Sequence, residues 1–264
     1  MRLQRKLLSS TGTCGRCVGP AQIPETAWRP CSSNLGRSAS GQSRNPQKIT
    51  LGEKLFFDAR LSVDGTVACA SCHNPDRAFT DGQPTSVGAY GRVGQRNAPT
   101  LLNALYNEAQ FWDGRATTLE DQAAFPIFNP SEMGQPNLEA AVVKIAAIPD
   151  YQQEFQAVFG QSPNSVNLVR AIAACERTLV SFDSPFDRFI AGDPNAVDAS
   201  AERGWVLFNT KAHCNRCHAS VNRDVTYFTD FGFHNIGIGI LRHNVAPLAQ
   251  QTDRLIAIND AAQC

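Results

Sequence analysis

The stretch Cys69-Ala70-Ser71-Cys72-His73 decides how this 264-residue chain is interpreted, and its pattern recurs as Cys214-Asn215-Arg216-Cys217-His218. In each copy an imidazole directly follows two thiols, so that one turn of helix brings the three side chains together. This spacing suits a c-type haem, whose two vinyl groups take the thiols and whose iron takes the imidazole. A zinc site or a redox dithiol explains the thiols but not the histidine. We therefore predict two covalently bound haem c groups, held by Cys69, Cys72 and His73 and by Cys214, Cys217 and His218.

The bulk composition is that of a globular protein, with 42% apolar and 18% charged residues. A net charge of zero gives no reason to expect a nucleic-acid partner, and no apolar run reaches the length of a membrane span. Residues 1–48 are rich in Ser, Gly, Arg and Pro, which predicts a disordered or atypical leader. A metal site at Cys14, Cys17 and Cys31 is the weaker alternative, because no histidine lies nearby to complete it.

Helical spacing of apolar residues predicts a mainly α fold with no convincing strand. Thr50 and Glu53 have the spacing of a capping box that would begin the first helix. The irregular stretch from Asp58 to Pro99 suits a chain that is wrapped around a haem. Further helices are predicted at Leu119–Phe125, Leu138–Ile148, Tyr151–Phe159, Val166–Phe182 and Ala201–Phe208. With a linker near Ala191–Asn195, these patterns predict a haem domain over 49–192 and a second over 193–264.

Several blocks resemble the bacterial di-haem cytochrome c peroxidase family, which includes the MauG-type enzymes. Besides the first haem motif they are Leu51–Asp58, Arg96–Thr100, Phe111–Arg115 and Phe231–Gly237. The resemblance implies two cytochrome-c-like domains, each with one haem, and a calcium ion between them.

The resemblance also implies roles for single residues. Trp112 matches the tryptophan that couples the two haems, although by itself it would be read as a core aromatic. Gln122 and Glu132, with Pro126, match the distal side of the peroxidatic haem, where Glu132 is the candidate acid–base group. The alternative for Glu132 is a carboxylate at a helix entry. Asn97 resembles a calcium ligand but could be an ordinary turn residue.

Two departures from the family pattern are informative. Residues 76–100 contain no histidine, so we expect an open haem at His73 that needs no reductive activation, as in MauG-type members. The second haem normally takes a downstream methionine or tyrosine, but the chain has only Met1 and Met133. Tyr227, His234 and His243 remain as substitutes, and the sequence favours none of them. The second haem domain is therefore expected to be incomplete, in a C-terminally truncated family member.

The resulting expectation is a periplasmic peroxidase that reduces hydrogen peroxide to water. Its electrons would come from a small cytochrome c or cupredoxin. The alternatives are a MauG-like oxidase of a protein or organic substrate, a di-haem electron carrier without peroxide chemistry, and a non-functional fragment. The sequence leaves the oligomeric state open, including a homodimer.

Overall fold

The computed structural model describes residues 45–218 and 228–234. These residues form eight α-helices, and the only β-structure among them is two isolated bridges. The predicted mainly α fold is thus confirmed. In chain order the helices are α1 (Pro46–Phe56), α2 (Cys69–Cys72), α3 (Leu119–Phe128), α4 (Leu138–Ala146), α5 (Pro149–Phe159), α6 (Ser165–Glu176), α7 (Pro185–Ile190) and α8 (Ala199–Asn209). No described helix has both the length and the apolar character needed to cross a membrane.

The core of the N-terminal unit is built around α6, which packs against α1, α3 and α4. Leu168 and Ile172 on α6 are fully buried, together with Leu55 on α1. The two helices α1 and α6 approach so closely that a Cβ on Gly52 would lie 1.8 Å from the carbonyl oxygen of Ala171. Only glycine fits at this crossing, and Cys175 is buried beside it as the sequence predicted.

The start of α1 differs from the prediction. Asn45, and not Thr50, caps the helix, because its side chain accepts hydrogen bonds from the backbone N–H groups of Gln47 and Lys48. Pro46 follows as the first helical residue, where its missing N–H costs nothing. Thr50 lies inside the helix, and its hydroxyl donates to the carbonyl of Pro46. The last three residues of the predicted leader, 46–48, are therefore helical, and residues 1–44 lie outside the described part.

The end of α6 also differs, since the helix stops at Glu176 and does not continue to Phe182. The backbone N–H groups of Arg177 and Leu179 still donate to carbonyls of the preceding turn, but from Leu179 onward the chain also pairs with Asn103. The backbone N–H of Asn103 donates to the carbonyl of Leu179, and its side chain exchanges two hydrogen bonds with the backbone of Ser181. Leu179 is buried in this extended segment, so its apolar spacing reflected burial and not a helix.

Long-range hydrogen bonds fasten the irregular segment that precedes the first haem motif. Asp58 accepts a hydrogen bond of 2.7 Å from the hydroxyl of Tyr151 and is also paired with Arg60. The ammonium group of Lys144 donates to the carbonyls of Ser62 and Val63 at 2.6 and 2.9 Å. Both anchors come from the helices α4 and α5, so the helical core fixes where the motif begins.

The chain divides into two compact units, with the boundary between Ser181 and Phe182. In the described part of the C-terminal unit, α7 and α8 contribute Phe186, Trp205 and Phe208. These rings pack with one another and with Phe228 at separations of 4.9 to 6.2 Å. This aromatic cluster is the apolar centre of the described residues of that unit.

Candidate haem centres

The first motif lies in the wall of a cavity of about 590 Å³ in the N-terminal unit. That volume is within the usual range for sites that enclose a cofactor. The four-residue helix α2 places Cys69 and Cys72 on the wall, and His73 follows as its C-cap. The backbone N–H of His73 donates to the carbonyl of Cys69 at 2.9 Å, which closes the turn that the motif requires.

The His73 imidazole has a defined orientation. Its Nδ1 lies 3.0 Å from the carbonyl oxygen of Phe79, and since a carbonyl only accepts, Nδ1 carries the proton. Nε2 is then the nitrogen with the free lone pair, as an iron ligand needs. Burial lowers the pKa of His73, while the carbonyls of Phe79 and Pro99 act in the opposite direction. Ala78 and Phe79 both have left-handed backbone angles, at φ 54° and 59°, which shape the turn that contains this acceptor.

The chemistry of the two thiols suits a thioether better than a thiolate. Burial raises the pKa of the Cys69 thiol above its ordinary value, and nearby Glu176 raises it further. Burial also raises the pKa of Cys72, against the hydrogen bond to Ser86. Zinc sites and redox dithiols need stabilised thiolates, so the environment disfavours both. The residues around this cavity therefore fit a covalently bound haem.

Gln122 and Glu132 lie on the wall of the same cavity. The side-chain oxygen Oε1 of Gln122 is buried and has no hydrogen-bond partner among the described residues. A buried amide oxygen without a partner normally indicates a missing donor, such as a ligand or a water. Glu132 lies in the turn after α3, where Oε1 accepts a hydrogen bond of 2.9 Å from the side chain of Asn129. Burial raises its pKa, which Arg115 and Asn129 partly offset.

Glu132 is not at the entry of a helix, because α4 begins only at Leu138 and is capped by Asn137. The backbone of Glu132 is held by the loop that contains Gly88 and Ala89. The carbonyl of Glu132 accepts a hydrogen bond of 2.7 Å from the N–H of Ala89, and Gly88 packs directly on the same backbone. The loop around Gly88 thus supports the turn that presents the carboxylate.

Trp112 and its neighbours form the rim of the cavity. The Trp112 side chain is 56% exposed, so within this unit it is not a core aromatic, and its Nε1 donates to the carbonyl of Asn97 at 2.9 Å. Next to it, the Asp113 carboxylate accepts hydrogen bonds from Arg96 and Arg115 at 2.6 and 2.7 Å. The Arg115 guanidinium lies 3.5 Å from the centre of the Phe111 ring. Arg115 is consequently a fixed positive charge close enough to lower the pKa of Glu132.

Asn97, the candidate calcium ligand, also lines the cavity. Its side-chain Nδ2 donates to the carbonyl of Gln83 at 2.6 Å. This bond orients the amide, and the remaining side-chain atom Oδ1 is of the type that calcium prefers. The structure therefore brings Asn97, Trp112, Gln122, Glu132 and the first motif to one cavity.

The second motif belongs to the C-terminal unit. The His218 imidazole makes the same type of hydrogen bond as His73, because its Nδ1 lies 2.8 Å from the carbonyl oxygen of Phe228. Nε2 is again the nitrogen with the free lone pair. The Phe208 ring lies 6.4 Å from the imidazole. His234, one of the three candidates for the sixth ligand, is paired through Nε2 with Asp230 at 2.8 Å. Tyr227 and His243 lie outside the described residues.

Sequence reasoning missed Arg115 and Glu176, which line the first cavity, and Gly88, which packs against the turn that contains Glu132. Arg115 lies within the block Phe111–Arg115 that carried the family resemblance, so its position was a usable signal. Gly88 and Glu176 offered none, because the first supports Glu132 only by tertiary packing and the second stands at the end of an amphipathic helix.

Comparison with known proteins agrees with this geometry. Residues 46–195 match the family model described as di-haem cytochrome c peroxidase. The chain is 44% identical over 235 residues to the methylamine utilization protein MauG of Methylophilus methylotrophus, covering 84% of this chain and 68% of that protein. It is 41% identical to the cytochrome c551 peroxidase of Pseudomonas aeruginosa over 73% of this chain and 56% of that one. The chain belongs to the di-haem cytochrome c peroxidase family, whose members use haem.

Solved structures show the same relationship. A MauG-like protein associated with microbial copper homeostasis superposes with a TM-score of 0.64 at 32% identity, over 80% of this chain and 61% of that one. The diheme peroxidase BthA of Burkholderia thailandensis gives 0.62 at 27% identity, over 84% and 59%. The present chain spans about half the length of most curated relatives that it matches.

Proposed function

We propose that this protein is a di-haem c-type peroxidase that reduces hydrogen peroxide to water. The net reaction consumes two electrons and two protons for each peroxide and releases two waters. The single observation that carries the proposal is the cavity of the N-terminal unit, which combines an oriented imidazole at His73 with Gln122 and Glu132. Bound there, a haem would supply the redox chemistry, while the protein supplies placement and electrostatics.

Glu132 is proposed to move the proton that heterolysis of the O–O bond requires. Its carboxylate would accept a proton from one oxygen of the bound peroxide and donate it to the other, which leaves as water. The raised pKa of Glu132 suits this task, because a carboxyl whose pKa lies closer to the working pH both accepts and donates. Gln122, whose Oε1 lacks a partner among the described residues, would orient the peroxide by accepting a hydrogen bond.

The remaining assignments are proposals of the same kind. Electrons from a small cytochrome c or cupredoxin would enter at the haem held by Cys214, Cys217 and His218. They would then reach the haem held by Cys69, Cys72 and His73 by way of Trp112. A calcium ion would have Asn97 among its ligands. Because haem c is attached outside the cytoplasm in bacteria, the expected location is the periplasm.

Stopped-flow spectroscopy of the haem-loaded protein mixed with peroxide tests the assignment. We expect a rapid shift of the Soret band that slows strongly in Glu132→Gln. Glu139→Gln is the matched control, because that carboxylate is exposed and bonded to Ser165 outside the cavity. A Soret shift that is equally fast in Glu132→Gln would contradict the role of Glu132. No reaction at all in the wild type would favour an electron carrier.

A MauG-like oxidase is a second candidate, favoured by the absence of histidine from residues 76–100 and by the MauG relative. In that case peroxide would oxidise a protein or organic substrate and no reduced cytochrome would be needed. Consumption of peroxide that depends on such a substrate, and not on a reduced cytochrome, would distinguish the two candidates. Electron paramagnetic resonance separates both from a carrier, since an open haem at His73 gives a high-spin signal and two six-coordinate haems do not.

A further inference from the structure

Glu176 is a buried carboxyl group on the cavity wall that the proposed mechanism does not use. It is the last residue of α6, it is only 3% exposed, and it lines the cavity together with the first haem motif. Its Oε2 is buried and has no hydrogen-bond partner among the described residues. A carboxylate without a partner is costly to bury, so its state must depend on a proton or on what fills the cavity.

The charges around Glu176 leave it without a compensating cation of its own. The adjacent Arg177 is engaged with Glu120 on α3, whose two carboxylate oxygens accept from its guanidinium at 2.7 and 2.6 Å. Burial raises the pKa of Glu176 to about 8, Arg177 acts to lower it, and Glu120 raises it further. On the α2 side Glu176 interacts electrostatically with the thiol of Cys69, which a haem would convert to a neutral thioether.

Other titratable groups on the helices that pack against α6 are directed elsewhere. On α1, Lys54 pairs with Glu154, Lys48 lies over the Phe159 ring, and Glu53 is half-buried with burial alone raising its pKa. On α3, Asp121 bonds to Thr117, and on α4, Glu139 bonds to Ser165 and Lys144 to the carbonyls of Ser62 and Val63. The state of Glu176 is therefore governed by its burial, by the Arg177–Glu120 pair and by the charge within the cavity.

We propose that Glu176 takes up one proton when one electron enters the redox centre held by Cys69, Cys72 and His73. The electron lowers the charge of the cavity by one, and in a site of low dielectric constant this makes a nearby carboxylate more basic. The proton comes from solvent and forms one O–H bond, converting the Glu176 carboxylate to a carboxylic acid. No other bond changes, and the electron is supplied by the redox protein or by a chemical reductant.

This role is distinct from that of Glu132. Glu132 would transfer a proton between the two peroxide oxygens, whereas Glu176 would respond to the arrival of an electron. A surface carboxylate could not do so, because it stays ionised in both redox states at neutral pH. Proton uptake by Glu176 would neutralise the added charge and bring one of the two protons of the net reaction into the unit that binds peroxide.

Reductive titration of the haem-loaded full chain tests the proposal without any turnover of peroxide. We would measure the reduction potential of the His73 haem at several pH values around 8, following loss of its high-spin ferric signal. The reduction potential of the wild type is expected to fall as the pH rises. In Glu176→Gln we expect the potential to lose this dependence on pH. Glu154→Gln is the matched control, because Glu154 also has a buried Oε2 without a partner but does not line the cavity.

Infrared difference spectra of the reduced minus the oxidised protein give a direct second measurement. At a pH of about 8 or above, where at least half of Glu176 is ionised before reduction, a carboxylic acid C=O band should grow on reduction in the wild type and in Glu154→Gln, and be absent in Glu176→Gln. Glu132→Gln separates any contribution of that carboxyl. Proton uptake on reduction can also be measured with a pH indicator in the wild type alone, so this test does not depend on the folding of a variant.

Three results would overturn the inference: no proton uptake on reduction in the wild type, a potential that varies with pH equally in Glu176→Gln, or a carboxylic acid band that survives in that variant. The inference rests on the proposal that the cavity holds a redox-active haem. It does not rest on peroxidase turnover, so a protein that fails to reduce peroxide could still show coupled proton uptake.

Discussion

The packing of Gly88 against the turn that contains Glu132 gives a sharp test of how that carboxylate is positioned. A Cβ added at Gly88 would lie 2.3 Å from the carbonyl oxygen of Ser131, 2.4 Å from that of Glu132 and 2.7 Å from the Glu132 Cα. The backbone at Gly88 is extended, at φ −98° and ψ −165°, so alanine can adopt it without strain. Gly88→Ala therefore acts through contact with the backbone of Ser131 and Glu132.

The expected displacement follows from these distances. Ordinary contact begins at 3.4 Å, so the turn must retreat by about 1 Å, and this movement also disturbs the 2.7 Å hydrogen bond from Ala89 to Glu132. A misplacement of about 1 Å at a reacting group can reduce a rate by roughly 10²-fold. We expect the reaction with peroxide to slow by about that factor, and stability to fall by about 1–3 kcal/mol.

The assay is the Soret change on mixing with peroxide, with the haem content of each variant measured beforehand. Gly204→Ala on α8 is the control, because its Cβ would meet no described neighbour within 4 Å and Gly204 does not line the cavity. That variant should react within roughly twofold of the wild type. If Gly88→Ala carried normal haem and reacted at the wild-type rate, the positioning argument would be refuted.

Three further predictions concern packing, charge and acid stability. In Gly52→Ala the new Cβ would lie about 1.6 Å too close to the carbonyl oxygen of Ala171, so the free energy of unfolding in denaturant should fall by about 3 kcal/mol. Gly204→Ala is the control, because its Cβ has no described neighbour within 4 Å, and it should raise this free energy by ~0.5–1 kcal/mol. Equal effects of the two substitutions would contradict the close crossing of α1 and α6. Arg115→Gln removes the positive charge that lowers the pKa of Glu132, so this pKa should rise and the acidic limb of the pH–rate profile should move to higher pH. An acidic limb that does not move would exclude the coupling. Burial opposes ionisation of Asp58, but hydrogen bonds hold its pKa below 3.8 overall, so its stabilisation is present above that pH and is lost on acidification. Asp58→Asn should therefore lower the free energy of unfolding by about 1–3 kcal/mol at pH 7. In urea melts the difference in this free energy between wild type and variant should become smaller below about pH 4. A difference that does not change with pH would contradict this assignment.

Much of the helical framework could be predicted from local patterns. Apolar residues at helical spacing indicated α3, α4 and α5 within three residues of their observed ends. The errors arose where tertiary contacts replaced helical hydrogen bonds. Beyond Glu176 the chain pairs with Asn103, which is more than 70 residues distant in sequence, and no local signal announces that partner. The predicted start of α1 at Thr50 is wrong because the side chain of Asn45, five residues earlier, caps the first turn.

The covalent attachment of haem is the prediction that the sequence by itself supports most firmly. Two thiols and an imidazole within five residues can meet at one haem because a single turn of chain joins them, whatever the rest of the fold does. The family blocks added candidate roles for Trp112, Gln122 and Glu132, but not their mutual arrangement.

Only the tertiary structure decides how the cavity behaves chemically. The pKa values of Glu132 and Glu176 depend on burial and on charges such as those of Arg115 and Glu120, which come from other parts of the chain. Desolvation and Coulomb energy depend on distances in space and not on spacing in sequence. A glutamate at the end of an apolar helix therefore looks ordinary in the sequence, and only the packing of α6 against its neighbours buries it on the cavity wall.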